Sequence, residues 1–151
     1  MLVYRISSPK YAGDLSGNGA KLYGGRWNEK GTPVVYFASS RAMAMMELLV
    51  HLRPEDLNRE YAILVYEVPD DKIYKVDTEL LPLDWKTDER KPALAKWCKR
   101  FIDDGEFLLM QVPSVLVEEE SNYVLNSLHA DAAKVKLVSQ RLFTFDHRLK
   151  S

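Results

Sequence analysis

Val34-Val35-Tyr36-Phe37-Ala38-Ser39-Ser40-Arg41-Ala42-Met43-Ala44-Met45-Met46-Glu47-Leu48-Leu49-Val50-His51-Leu52 decides how this chain reads, because its pattern changes half-way along. Val34 to Ala38 is a short β-branched and aromatic run directly after Gly31-Thr32-Pro33, the pattern of a buried strand. Ser39-Ser40 then offers a helix N-cap, and the following residues predict a helix to Leu52. It should stop at Arg53, since Pro54 disfavours α geometry in the residue before it. This helix, at about 40–52, is apolar nearly all round and is expected to be buried. Glu47 is the one carboxylate in it. An isolated buried charge is expensive, so Glu47 needs a partner or a pocket. An ion pair with an arginine, a solvent-facing place at the helix edge, or a seat at the floor of a cleft would each answer that need.

Outward from this unit, Tyr61 to Val68 reads as a second strand ended by Pro69-Asp70-Asp71, and Ile73 to Val76 as a third. Leu81 to Asp84 is irregular. Pro92 suits the first turn of a helix at about 92–104, with Leu94, Trp97, Cys98, Phe101 and Ile102 inward and Gly105 as its stop. Strands are expected over 107–112, 114–117, 123–125, 135–138 and 142–145. Every glycine except Gly105 lies between Gly13 and Gly31, which predicts a long turn-rich segment before the first firm element. Two helices among many short strands, without regular alternation, predict an α+β fold and disfavour a doubly wound parallel sheet.

The chain has 151 residues, 46% hydrophobic and 28% charged, the composition of one folded domain over 1–151. Lysine plus arginine (21) nearly balances aspartate plus glutamate (22), so no broad positive field exists to hold a nucleic-acid backbone. A single cysteine, Cys98, excludes an intrachain disulfide framework and a multi-cysteine zinc site. No stretch has the length or flanks of a membrane span or a signal peptide, and a cytoplasmic protein is expected.

Several residue groups can carry chemistry. In Gly24-Gly25-Arg26-Trp27-Asn28, paired glycines allow close backbone approach and Arg26 offers a planar fork for phosphate oxygens. Trp27 suits either a ring-stacking role or the core. Ser114 follows Pro113, and Glu118-Glu119-Glu120-Ser121-Asn122 forms a polar cluster after it, which composition alone reads as a solvated hairpin turn. Gly17-Asn18-Gly19 lacks the third glycine of a dinucleotide fingerprint, and no phosphate-binding P-loop is present. His51, His129 and His147 show no metal-ligand spacing, and a Ser114–His129–Asp146 triad has no nucleophile elbow to support it.

In order along the chain, Tyr4-Arg5-Ile6, Gly24 to Asn28, Pro33 to Ser40, Ala44 to Leu52 around Glu47, Val112 to Val117 and Asn122 to Asn126 resemble the RES-domain family, named for an arginine, a glutamate and a serine. Ser127-Leu128-His129-Ala130 departs from the proline-containing turn that often follows in that family. The resemblance implies an ADP-ribosyltransferase-like core, of short and mostly antiparallel strands in a split sheet. It implies the toxin of a bacterial toxin–antitoxin pair, which breaks the nicotinamide–ribose bond of NAD and depletes it by hydrolysis or phosphorolysis. Mono-ADP-ribosylation of a host protein is the alternative, and a non-catalytic nucleotide- or partner-binding module is the second.

Arg26, Tyr36, Glu47 and Ser114 are the implied catalytic residues. Arg26 would hold the pyrophosphate, Tyr36 would stack on the nicotinamide or line its pocket, and Glu47 would stabilise the developing cation or orient the attacking group near the ribose. Ser114 would bind a ribose hydroxyl or the nicotinamide amide. Arg5 and Asn122 are further NAD-binding candidates. NAD is then a substrate, with no metal and no permanently bound cofactor expected. The implied partner is an Xre-like helix-turn-helix antitoxin; a homo-oligomer is also compatible.

Overall fold

The computed structural model describes residues 1–150. In chain order it comprises β1 (Leu2–Ser7), α1 (Asn18–Tyr23), β2 (Val34–Ala38), α2 (Arg41–Leu49), β3 (Tyr61–Glu67), β4 (Ile73–Lys75), α3 (Lys91–Asp104), β5 (Leu109–Pro113), β6 (Ser121–Asn126) and β7 (Lys136–Phe143), with short 3-10 turns between them. The strands form one sheet in the order β4-β5-β6-β2-β1-β3-β7. Only the β4–β5 pair is parallel. At the centre, β1 and β2 meet through the single registered pair Tyr4↔Ala38, whereas β1 runs beside β3 from Leu2↔Glu67 to Ser7↔Ala62. That one-pair junction divides the sheet into two wings, as the split α+β core requires.

Strand alternation assigns the two faces. Val34 and Tyr36 of β2 pack with Met110 of β5, Val124 of β6 and the inner side of α3, namely Leu94, Cys98 and Phe101. Val35 and Phe37 point the other way, into a cluster with Val3, Leu64, Tyr66, Leu109 and Leu125. On the second wing, α2 lies against β1 and β2, burying Met43 and Ala44 beside Ala38, Tyr4 and Ile6. Trp27 is 3% exposed and tilts against Trp85 at 6.3 Å between ring centroids, so its place is the core.

Several sequence expectations change. The α2 cap is as expected, with Ser40 Oγ accepting from the Met43 amide at 3.0 Å, but the helix ends at Leu49 rather than Leu52. Nor is it buried all round, since Met46 and Val50 are 41% and 50% exposed. Met43 and Ala44 face the sheet, Met45 and Leu49 pack toward Leu57, Tyr61 and Phe145, and Leu48 also lines a cleft, surfaces that periodicity cannot separate. Tyr4-Arg5-Ile6 lies in a strand, β1, and the turn-rich segment between Gly13 and Gly31 contains one firm element, α1. The expected strands at 135–138 and 142–145 are one strand, β7, at the sheet edge with seven of its eight residues exposed. Residues 114–117 form no strand but a turn.

Candidate active site

Where β1 and β2 diverge, the chain forms a cleft of about 710 Å³ lined by β1, β2, α1, α2, the Gly24–Trp27 loop and the start of β6. Of the residues singled out from sequence, Arg5, Arg26, Tyr36, Glu47 and Asn122 line it. Ser114 does not.

Among the three arrangements open to Glu47, the structure adopts the cleft, and among the described residues Glu47 forms no ion pair. Two neutral donors hold one of its oxygens. Ser114 Oγ donates to Glu47 Oε1 at 2.6 Å, and Asn122 Nδ2 donates to the same atom at 2.7 Å. Hydrogen bonds from neutral groups fix a carboxylate without cancelling its charge, so it can still answer a positive charge developing beside it. Oε2 has no hydrogen-bond partner among the described residues.

Ser114 is fully buried. Its hydroxyl also accepts from the Leu116 and Val117 amides at 3.1 and 3.3 Å. By capturing the amides that a strand ladder would have used, the side chain makes residues 114–117 a turn. In this structure the Ser114 hydroxyl is engaged by Glu47 and by its own turn.

At the opposite wall, Tyr36 Oη donates to Asn28 Oδ1 at 2.6 Å and accepts from the Trp27 amide at 3.2 Å. Burial pushes the Tyr36 phenol well above its ordinary range, which keeps it neutral. With both hydroxyl functions occupied, the ring is what Tyr36 offers to the cleft. Gly25 crosses this hydroxyl so closely that an added Cβ would lie 2.8 Å from both Asn28 Oδ1 and Tyr36 Oη. That approach is the physical need for glycine in the motif.

Arg26 reaches across to the irregular segment before α3, donating to the Lys86 carbonyl at 3.0 Å with Asp88 Oδ1 at 3.7 Å. Arg5 is the more deeply placed guanidinium. Its one hydrogen bond among the described residues is a long one, 3.5 Å to the Tyr36 carbonyl, and burial lowers its affinity for the proton. Arg5 and Arg26 thus share the cleft with two carboxylates, Glu47 and Asp14, and the two guanidiniums are the groups there that suit an anionic ligand. Val50, His51 and Lys91 also line the cleft and had no role in the sequence reading. Asn28 is 2% exposed, and its role was missed as well, because a loop asparagine is common and its partners were not apparent. His129 instead caps a turn through the Asp131 amide, and Asp146 pairs with Arg148, so no Ser114–His129–Asp146 triad exists.

A protein-family model described as the RES domain matches residues 2–146. The chain belongs to the RES-domain family. This RES domain is 39% identical to "Toxin Res" of Pseudomonas putida, with 99% of each chain covered. It is 35% identical to "Toxin Res" of Photorhabdus laumondii subsp. laumondii, covering 99% of this chain and 97% of that protein. Against the "Prs ADP-ribosylating toxin" of a Sphingobium species it is 37% identical, covering 91% and 88%. In three dimensions it is similar to a chain from the M. tuberculosis MbcT-MbcA toxin–antitoxin complex, with a TM-score of 0.78 over 95% of this chain and 84% of that one. At 19% identity that likeness shows the shared fold.

Proposed function

We propose that this RES-domain protein is the toxin of a bacterial toxin–antitoxin pair and that it breaks the nicotinamide–ribose bond of NAD, depleting the cytoplasmic pool. One observation carries the chemistry: Glu47, with Oε1 held by Ser114 and Asn122, lines a cleft that also contains Arg5 and Arg26. Two arginines lining one cleft match the pyrophosphate of a dinucleotide. As the C1′–N bond lengthens, its electron pair passes to the nicotinamide nitrogen, which leaves neutral, and positive charge gathers on C1′ and the ring oxygen. Glu47 stabilises that charge through space. Water then adds at this carbon and loses a proton, giving ADP-ribose, or phosphate adds there and gives ADP-ribose phosphorylated at the same carbon. A neutral leaving group needs no Lewis acid, so neither a metal nor a bound cofactor enters the reaction. Four toxin-named relatives, each covered over most of its length, support the biological role.

A second reading, transfer of ADP-ribose to a protein, is favoured by the printed name of the Sphingobium relative. It uses the same bond cleavage with a protein nucleophile in place of water. The fold's likeness to a chain of a toxin–antitoxin complex supports an antitoxin partner, for which the family implies an Xre-like protein. Purified protein and NAD, with and without phosphate and followed by nicotinamide release, test these readings together. Release without any protein acceptor supports depletion, and a phosphate requirement selects phosphorolysis. Label transferred to protein, with no free ADP-ribose, selects the second reading. Glu47→Gln should retain NAD binding and lose about 10²–10³-fold in turnover. Full activity in that variant removes Glu47 from the chemistry, and NAD binding without turnover in the parent leaves a binding module.

A further inference from the structure

We infer that Asn28 is a positioning residue for Arg26, acting with the Tyr36 hydroxyl as one anchor beneath the Gly25–Trp27 loop. Asn28 Nδ2 donates to the Ala20 carbonyl at 2.8 Å and the Thr32 carbonyl at 3.1 Å, with the Glu29 carbonyl at 3.3 Å. Its Oδ1 accepts from Tyr36 Oη. The opposite amide orientation would set an oxygen against three carbonyls and leave the Tyr36 proton facing donors, so the environment permits one orientation. A single buried side chain thereby ties α1, the approach to β2 and the middle of β2 together.

The loop is pinned to this anchor on both sides of Arg26. Before it, the Gly25 amide donates to the Asn28 carbonyl at 2.9 Å. After it, the Trp27 amide donates to Tyr36 Oη. Between these two pins the Arg26 backbone has little freedom, and its guanidinium starts from a set position over the cleft. Buried polar groups of this kind cost folding energy unless every member is satisfied, and Asn28 is satisfied at both ends. A purely packing role would not need both amide protons and the amide oxygen engaged at once.

Asn28→Asp is the sharp test, because it keeps shape and the acceptor for Tyr36 while removing both amide protons. Tyr36→Phe is the gentler companion, removing the shared hydroxyl and keeping the ring. The direct readout is hydrogen exchange at the Gly25 amide, whose acceptor is the Asn28 carbonyl and is untouched by either substitution. Exchange there should accelerate at least about tenfold in both variants, while the α3 and β6 amides keep their protection. Unchanged exchange at Gly25 overturns the inference, as does equal acceleration across α3 and β6, which marks general destabilisation.

The second readout rests on the NAD reading. In a Glu47→Gln background, NAD affinity should fall about tenfold with Asn28→Asp, and adding Arg26→Ala should cost no more than Arg26→Ala alone. Losses that multiply overturn the link to Arg26. If the Glu47→Gln parent binds no NAD, the proposed function fails, and exchange at Gly25 alone decides the role of Asn28.

Discussion

Ser114→Ala distinguishes a serine that holds Glu47 from a serine that touches the substrate. The substitution deletes the 2.6 Å hydrogen bond to Glu47 Oε1 and withdraws the acceptor from the Leu116 and Val117 amides. A hydrogen bond to a charged group contributes about 1.5–3 kcal/mol, and an amide left without a partner costs about 1–3 kcal/mol where water cannot replace it. The turn residues Val115, Leu116 and Val117 are half-buried, so water recovers part of the second cost. A net loss of about 2–4 kcal/mol follows, which lowers Tm by roughly 5–15 °C in a domain of this size.

Catalysis should suffer differently. Asn122 still holds Oε1 at 2.7 Å, so Glu47 keeps one of its two donors. Losing the other should reduce kcat by about 10–100-fold, equivalent to about 1.4–2.8 kcal/mol. KM for NAD should stay within about twofold, because Ser114 has no surface in the cleft. Steady-state nicotinamide release below the lowered Tm, with melting followed separately, measures both. A KM raised tenfold with kcat retained would refute the reasoning, since it would mean that Ser114 meets the substrate directly.

Gly25→Ala should lower both stability and NAD affinity, because the new Cβ would sit 2.8 Å from Asn28 Oδ1 and Tyr36 Oη; the measurement is Tm beside NAD binding in a Glu47→Gln background, and wild-type values for both would show that the loop yields freely. Gly17→Ala should destabilise by about 1–3 kcal/mol in chemical denaturation, since Gly17 has φ +77° and its Cβ would lie 2.7 Å from the Val34 amide nitrogen; an unchanged denaturation midpoint would contradict this. Burial pushes the Cys98 thiol from 9.0 up to about 12. The unfolded chain therefore releases this proton first, the folded state binds more protons between those values, and stability should fall as pH rises through that window, by at most about 1.4 kcal/mol per unit from this group. Tyr36 shifts in the same direction, so the check compares slopes: Cys98→Ala should lose stability less steeply than wild type between about pH 9 and 11. Parallel slopes would remove Cys98 from the effect.

Local pattern went furthest where one element meets one surface. Val34–Ala38 alternates between two buried faces and carries the aromatic and β-branched residues of a strand, so it was legible from five residues. The α3 helix was legible too, with Pro92 opening it and Gly105 in the left-handed conformation closing it. β7 was legible only at its two ends, because Ser139-Gln140-Arg141 interrupts the apolar run of an exposed edge strand and hides its continuity. α1 hid between Gly17 and Gly24 with Gly19 inside it, and glycine argues against a helix unless the surrounding chain holds it in place.

The residue types of the site, and their order along the chain, were properties of the sequence alone. Arg26 after two glycines, Tyr36 in a strand, a solitary Glu47 in an apolar helix and Ser114 after a proline together carried the family resemblance. Their partnerships were decided only by tertiary structure. Ser114 is 67 residues from Glu47 and Asn122 is 75, separations at which no periodicity reports contact. Strand order sets them together: β6 lies beside β2 and β5 beside β6, which brings Asn122 opposite Ala38 and places the turn after Pro113 near α2. The same register turned Ser114 away from the cleft and onto the carboxylate, because a hydroxyl buried there finds its hydrogen bonds in the protein rather than in solvent.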